Sequence, residues 1–240
     1  MSVLEVNNLR LGYSQTAVLE RLSFSIDTPS FVAIVGHNGC GKSTFLKAMT
    51  GNISYSGDII FPSNFSDLKA SNFIGYLEQK NSITFDLPVK EILVLGLFRR
   101  KGIWGTFGKD DYRLVYEKLG ELGYQYLFEK SMLQLSGGEQ QIVWLVQLMI
   151  QDSPLLLLDE PTQHLDIFNK KITFDLMRKW VNEMGKTVFC VTHDLDFLEC
   201  MSGYIINFSA SEIKPELISY DAVRRHKNML MNKEVSGMNS

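Results

Sequence analysis

Two different spacings of apolar residues run along this chain, and they change hands twice. Near the N-terminus, "LEVNNLRLGY" and "AVLERLSFSI" alternate apolar and polar positions, as in Leu22, Phe24 and Ile26. That period of two predicts a half-exposed antiparallel sheet. The run "SFVAIV" is apolar throughout and predicts a buried strand, followed by a helix over "STFLKAMTG" that Gly51 closes. Two more strands are expected at "GDIIF" and "FIGYLEQ". From Val89 to about Ser153 the spacing is helical, with no convincing strand. Strands then return in "PLLLLDE", "KTVFCVTH" and "GYIINF", separated by a helix around "NKKITFDLMRKWVNEMG". Fully apolar strands alternating with helices indicate a parallel sheet covered on both faces. After Asp221 the chain is polar and shows no evident period, so a frayed tail is expected over 221–240.

Composition narrows the class. At 240 residues with 45% hydrophobic content the chain can bury a full core as one large domain, here 1–220, with an inserted helical subdomain at about 88–153. A net charge of −3 gives no electrostatic reason for nonspecific binding to nucleic acid or anionic lipid, and no nucleic-acid partner is expected of Trp104 and Phe107. The N-terminal "MSVLEVNNLRLGY" lacks the basic and apolar regions of a signal peptide. No apolar run approaches the roughly 18 residues needed to cross a bilayer. Three cysteines without C-x-x-C spacing argue for a reducing compartment and against a metal or disulfide framework. The four histidines have no metal-ligand spacing.

Chemistry enters at "GHNGCGKST", Gly36 to Thr44. Gly36, Gly39 and Gly41 let the backbone turn several N–H groups onto one point, which suits an anion. The order G-x-x-x-x-G-K-[ST] between a strand and a helix is a phosphate-binding P-loop, and a plain turn would need one glycine and no lysine. A second motif, "LLLLDEPT", ends a buried strand in Asp159 and Glu160, where open parallel sheets bind ligands. One carboxylate suits Mg²⁺ and the other suits a water. A third, "LQLSGGEQQIVWL", fits a capping box from Ser136 to Glu139. That box leaves Gly137 and Gly138 unaccounted for, and two glycines opening a helix admit an anion to its N–H groups.

Taken together, these motifs resemble the nucleotide-binding subunit of ABC transporters, in the family's order from Tyr13 to His193. The resemblance implies an α/β P-loop NTPase core, a mostly parallel sheet, with an N-terminal antiparallel β subdomain and an inserted helical subdomain. It implies an ATP hydrolase with Mg²⁺ as cofactor. Tyr13 corresponds to the aromatic that stacks on adenine. Gly36, Asn38, Gly39, Cys40, Gly41, Lys42, Ser43 and Thr44 form the Walker A loop, with Lys42 on the β- and γ-phosphates and Ser43 on Mg²⁺. Gln79 matches the Q-loop glutamine, Asp159 the Mg²⁺ aspartate, Glu160 the base and His193 the switch histidine. "TQHLD" is the D-loop ending in Asp166. In this family the signature, Ser136, Gly137 and Gly138, closes over ATP held by another copy, which implies a homodimer.

Within the family, "LPVKEILVLGLFR" and "QDSPLLLLDEPTQHLDI" resemble importer ATPases for iron-siderophores, haem and cobalamin. That resemblance implies integral membrane permease subunits as partners, indirectly a substrate-binding protein, and a cytoplasmic place on the inner face of the cell membrane. A soluble ABC ATPase of iron–sulfur assembly, or another transporter class, is the alternative. A GTPase would need N-K-x-D, and "FNKKI" lacks the aspartate. The signature ends in Glu139 rather than glutamine, Gln140 and Ile142 stand where arginines are common, and Glu78 replaces a usual proline.

Overall fold

The computed structural model of the chain describes residues 2–13, 16–63, 73–79, 86–102 and 105–237. Strands β1 (Ser2–Tyr13), β2 (Thr16–Thr28) and β4 (Ser56–Ile60) form an antiparallel sheet in the order β2-β1-β4. A second sheet has the order β5-β6-β7-β3-β8-β9, from β3 (Phe31–Val35), β5 (Ile74–Leu77), β6 (Leu155–Asp159), β7 (Thr187–Val191), β8 (Gly203–Asn207) and β9 (Pro215–Leu217). Its neighbours pair in parallel except β8 with β9.

The period of two decides which core each side chain enters. In β3, Phe31, Ala33 and Val35 face the helical side, while Val32 and Ile34 face the antiparallel sheet. In β6, Leu156 and Leu158 take the first side and Leu155 and Leu157 the second. All nine of these residues except Ala33 carry large side chains, so the central sheet is sealed on both faces, as its unbroken apolar runs require. Helix α1 (Lys42–Met49) lies between the two sheets, and its Phe45 meets Phe24, Phe189 and Phe208 at ring-centroid distances of 6.0, 6.2 and 5.5 Å.

The stretch with helical spacing forms α2 (Val89–Val94), α3 (Phe98–Lys101), α4 (Lys109–Glu121) and α5 (Gly137–Gln151). Arg99 ties it to the sheet through Ser153 Oγ and Ile74 O. Phe107 packs against the helical core under the Lys101 ammonium. Trp104 lies outside the described residues. Helix α6 (Ile167–Asn182) covers the same face, anchored by Trp180 at 1% exposure.

The expectation of a frayed tail is corrected. Residues Tyr220–Gly237 form helix α7. Ala222 and Val223 are fully buried, His226 is 8% exposed and Leu230 is half-buried. The stripe at 222, 223, 226 and 230 does have helical spacing. It is narrow and contains a histidine, so its apolar content falls below what marks an amphipathic helix in the sequence.

Candidate active site

Four adjacent strands, β5, β6, β7 and β3, end at one edge of the central sheet, and each delivers one piece of the site. Gln79 follows β5, Asp159 and Glu160 end β6, His193 follows β7, and the glycine loop follows β3. The carboxyl edge of a parallel sheet is where the chain must turn into helices, so loops and helix N-termini collect there. A cavity of about 670 Å³ opens at that edge.

Its floor is the loop Gly36–Thr44. Gly36, Gly39 and Gly41 have φ of 149, 80 and 99°, the left-handed region that L side chains rarely adopt. A Cβ on Gly41 would also fall 2.9 Å from Leu19 and Val18, so both backbone and packing demand glycine there. Gly41 caps α1 without any side-chain hydrogen bond, and no acidic residue lies in the first turn. The first N–H groups of α1 therefore face the cavity with a positive helix end behind them. Lys42, 6% exposed, folds back over the loop and donates to Gly36 O at 2.7 Å and His37 O at 2.9 Å. Asn38, Ser43 and Thr44 line the same cavity. Cys40 does not: its side chain packs behind the loop on the core between the sheets, and its thiol would meet a Cβ on Gly36 at 2.7 Å.

The opposite wall is a convergence of polar groups. Glu160 accepts from Gln79 Nε2 at 3.0 Å, and His193 Nε2 lies 3.3 Å from its other carboxylate oxygen. Its φ of 52° is unusual for a glutamate and is held by the Glu160 N–H to Val191 O bond at 3.0 Å. Asp194, next to His193, is fixed by Thr162 Oγ1 at 2.6 Å and Lys170 Nζ at 2.5 Å, which sets the turn that carries the histidine.

Asp159 is 2% exposed and takes a hydrogen bond from the Ser43 side chain. Its Oδ1 is buried and meets no donor among the described residues. Burial first, then the nearby Glu160 charge, pushes its carboxyl above the ordinary aspartate range, with Ser43 opposing. A buried carboxylate oxygen without a partner, beside a hydroxyl, is an all-oxygen set of the kind Mg²⁺ takes when phosphate and water complete its shell. The residues fit that ion.

The signature residues form a second, separate cavity of about 370 Å³, lined by Ser136, Gly137 and Gly138 together with Tyr126 and Asp166. Within one chain, then, the structure does not bring Ser136, Gly137, Gly138 or Asp166 to the glycine loop. Asp166 caps α6, accepting from Asn169 N at 2.8 Å. Ser136 caps α5, and the Glu139 carboxylate accepts from its N–H at 2.9 Å and its hydroxyl at 3.0 Å. Tyr13 is the last residue of β1, and its side chain lies outside the described residues. Sequence reading missed Val18, Gln163 and Leu230, which also line the larger cavity. Gln163 sits in the D-loop and was within reach of the motif; Leu230 belongs to the tail and carried no signal.

The family model described as ABC transporter matches residues 19–163, more than half of the chain. The chain belongs to the ABC transporter family. It is an ATP-binding subunit of that family, an ABC ATPase. The manganese transport system ATP-binding protein MntB of Halalkalibacterium halodurans is 31% identical over 224 residues, 92% of this chain and 86% of that protein. The iron(3+)-hydroxamate import ATP-binding protein FhuC of Bacillus subtilis is 32% identical over 213 residues, 86% and 78% of the two chains. A bacterial ABC transporter cassette solved as a dimer superimposes with a TM-score of 0.74 at 26% identity, over 88% of this chain and 94% of that one. The ABC ATPase fold expected from the sequence is the fold found. No helix among the described residues is long and apolar enough to cross a membrane.

Proposed function

We propose that this ABC ATPase is the motor subunit of an importer for a metal ion or its chelate, working as a homodimer on integral permease subunits at the inner face of the cell membrane. The relatives named for manganese and for iron(3+)-hydroxamate support a cargo class wider than the siderophore, haem and cobalamin group that the sequence suggested. The observation that carries the hydrolytic reading is the convergence of Gln79 and His193 on Glu160, across one cavity from Lys42.

ATP would lie with its phosphates on the N-terminus of α1, where backbone N–H groups and the helix dipole favour negative charge. Lys42 would keep its donation to Gly36 O and turn its remaining N–H donors to the β- and γ-phosphates. Ser43, Asp159 and Gln79 would hold Mg²⁺, which supplies neutralisation of the phosphate oxygens when bound. Glu160, oriented by the Gln79 amide and the His193 ring, would take the proton of the attacking water, and His193 would face the charge growing on the γ-phosphoryl oxygens. The second cavity lies apart from the first within one chain, and this separation supports a head-to-tail pair in which Ser136 and Gly138 of one copy close on the nucleotide of the other. The dimeric cassette similar in fold supports the same arrangement. ATP binding would bring the copies together and hydrolysis would part them, which moves the permease.

Glu160→Gln tests the core of this reading. ATP binding should persist, turnover should fall about a thousandfold, and a nucleotide-bound dimer should accumulate on gel filtration. Turnover like that of the unaltered chain would reject Glu160 as the base. Purification of the tagged chain from native membranes, followed by metal uptake in vesicles with the co-purified permease, tests the cargo class.

A further inference from the structure

The lysine of the glycine loop is connected, through one peptide group and four hydrogen bonds, to helix α7 at the far end of the sequence. The starting point is the Gly36–His37 peptide. In a trans peptide the C=O and N–H point to opposite sides of one plane, so fixing either fixes both. On one side Gly36 O accepts from Lys42 Nζ at 2.7 Å. On the other, the His37 N–H donates to Ser209 Oγ at 2.8 Å. Ser209 is seated tightly there, since a Cβ on Gly36 would come within 3.1 Å of that same Oγ.

Beyond Ser209 the chain of bonds continues inward. The Ser209 N–H donates to Asn207 Oδ1 at 2.8 Å, which leaves Asn207 Nδ2 facing His226 Nδ1 at 3.3 Å. An amide nitrogen only donates, so His226 Nδ1 accepts, and the ring's single proton sits on Nε2. That proton is given to Glu216 Oε2, 3.1 Å away, and Glu216 is also paired with Arg225. Every donor in the series points the same way, from the Lys42 ammonium toward the Glu216 carboxylate. Aligned bonds of this kind polarise one another, more strongly where water is excluded. Lys42, Asn207 and His226 are 6, 2 and 8% exposed.

Helix α7 is held for this task. Lys227 pairs with Asp196 at 2.5 Å, on the segment that follows His193. Leu230, one turn past His226, reaches the wall of the 670 Å³ cavity. None of this belongs to the motifs of the glycine loop or of the signature.

We infer that His226, Asn207 and Ser209 are positioning residues for Lys42, so that α7 sets the nucleotide affinity of the Walker A loop. The inference rests on the reading of that loop as the ATP site. It makes α7 a handle: whatever lifts α7 from β8 frees the Gly36–His37 peptide to rotate and lets Lys42 drift from the phosphates.

Calorimetric ATP titration of the full chain tests it with Ser209→Ala, His226→Phe, their double variant, His226→Gln and, as control, Lys42→Ala. Each of the first two should weaken ATP by about fivefold, the effect of one lost hydrogen bond. The double variant should be no weaker than either, because both break one series. His226→Gln should restore affinity to within about twofold, because its Oε1 can accept from Asn207 and its Nε2 can donate to Glu216. Unaltered affinity in Ser209→Ala overturns the proposal whether or not His226→Phe folds, and so do additive losses in the double variant or a His226→Gln as weak as His226→Phe. If Lys42→Ala weakens ATP while the other variants do not, the series of bonds fails and the site stands. If Lys42→Ala also binds normally, the reading of the site itself has failed.

Discussion

Helix α1 is capped by Gly41 and helix α5 opens on Gly137, and their first turns are finished in opposite ways. Before α1, Gly41 offers no side-chain cap, Lys42 spans two carbonyls of its own loop, and Asp159 Oδ1 stays buried without a donor among the described residues. Before α5, Ser136 and Glu139 satisfy each other in a capping box, and Tyr126 adds its hydroxyl to the same carboxylate at 3.1 Å. The first end is left open at a cost in free energy, because a buried polar atom without a partner is expensive. The second is closed by its own acid. The difference teaches that one half of the proposed ATP sandwich is built to receive an anion at once, whereas the other must exchange an internal anion for an external one. Order then follows: nucleotide first on the glycine loop, signature second.

The largest effect should come from the open end. Lys42→Ala removes the buried charge that the loop organises, and ATP affinity should fall by ten- to a hundredfold, with turnover lost by about a thousandfold. A fluorescent ATP analogue and a phosphate-release assay read the two numbers. Near-normal binding would mean that the glycine loop is not where ATP sits.

Next in size is Ser136→Ala. If the signature acts on the partner's nucleotide, turnover should drop by about a hundredfold while ATP binding to the isolated subunit stays the same. Loss of the cap should also cost about 1 kcal/mol of stability. Equal losses of binding and turnover would place Ser136 in its own chain's site, contrary to the separation of the two cavities.

Asp159→Asn probes the open end without ligand. Burial raises the Asp159 carboxyl above its ordinary range. A raised acid contributes stability that is full below its unfolded pKa and is lost as pH rises through the folded value, so the charged form of Asp159 burdens the empty fold. The variant should therefore melt about 2–4 °C higher without nucleotide and lose turnover. A lower Tm would show that the Ser43 bond outweighs the desolvation.

How much of this contrast could be read from the sequence depends on whether a residue's partner is near it along the chain. Gly36 to Thr44 and Ser136 to Glu139 carry their geometry in local spacing, and both helix starts were legible. The apolar strands gave the parallel sheet, because burial on both faces leaves no polar position. That Gln79, Glu160 and His193 meet at one edge depends on strand order, which spacing alone does not encode. Ser209, Asn207 and His226 were illegible for a simpler reason: each is a single polar residue whose partner is distant in sequence or lies in another element. The stripe of α7 was overlooked because a histidine occupies one of its four buried places.

The smallest effect, Glu139→Gln, separates the two roles of the closed end. Glutamine can still complete the capping box, since its Oε1 accepts from the Ser136 N–H, so the fold should be little changed. What disappears is a negative charge that sits on the donors a partner's γ-phosphate would need. The backbone bond from Ser136, the largest cause, holds the Glu139 carboxyl below the ordinary glutamate range, with burial opposing. It is therefore fully charged at neutral pH. A depressed acid contributes stability above its unfolded pKa and loses it as pH falls through the folded one, so the glutamine variant should also lose this acid-side dependence below about pH 4.5. In a Glu160→Gln background, ATP-driven dimerisation measured by sedimentation should tighten about fivefold, roughly 1 kcal/mol, the order of a partly screened like-charge contact. An unchanged dimer constant would mean that Glu139 leaves Ser136 freely when nucleotide arrives, and the contrast between an open and a self-closed helix end would then be structural only.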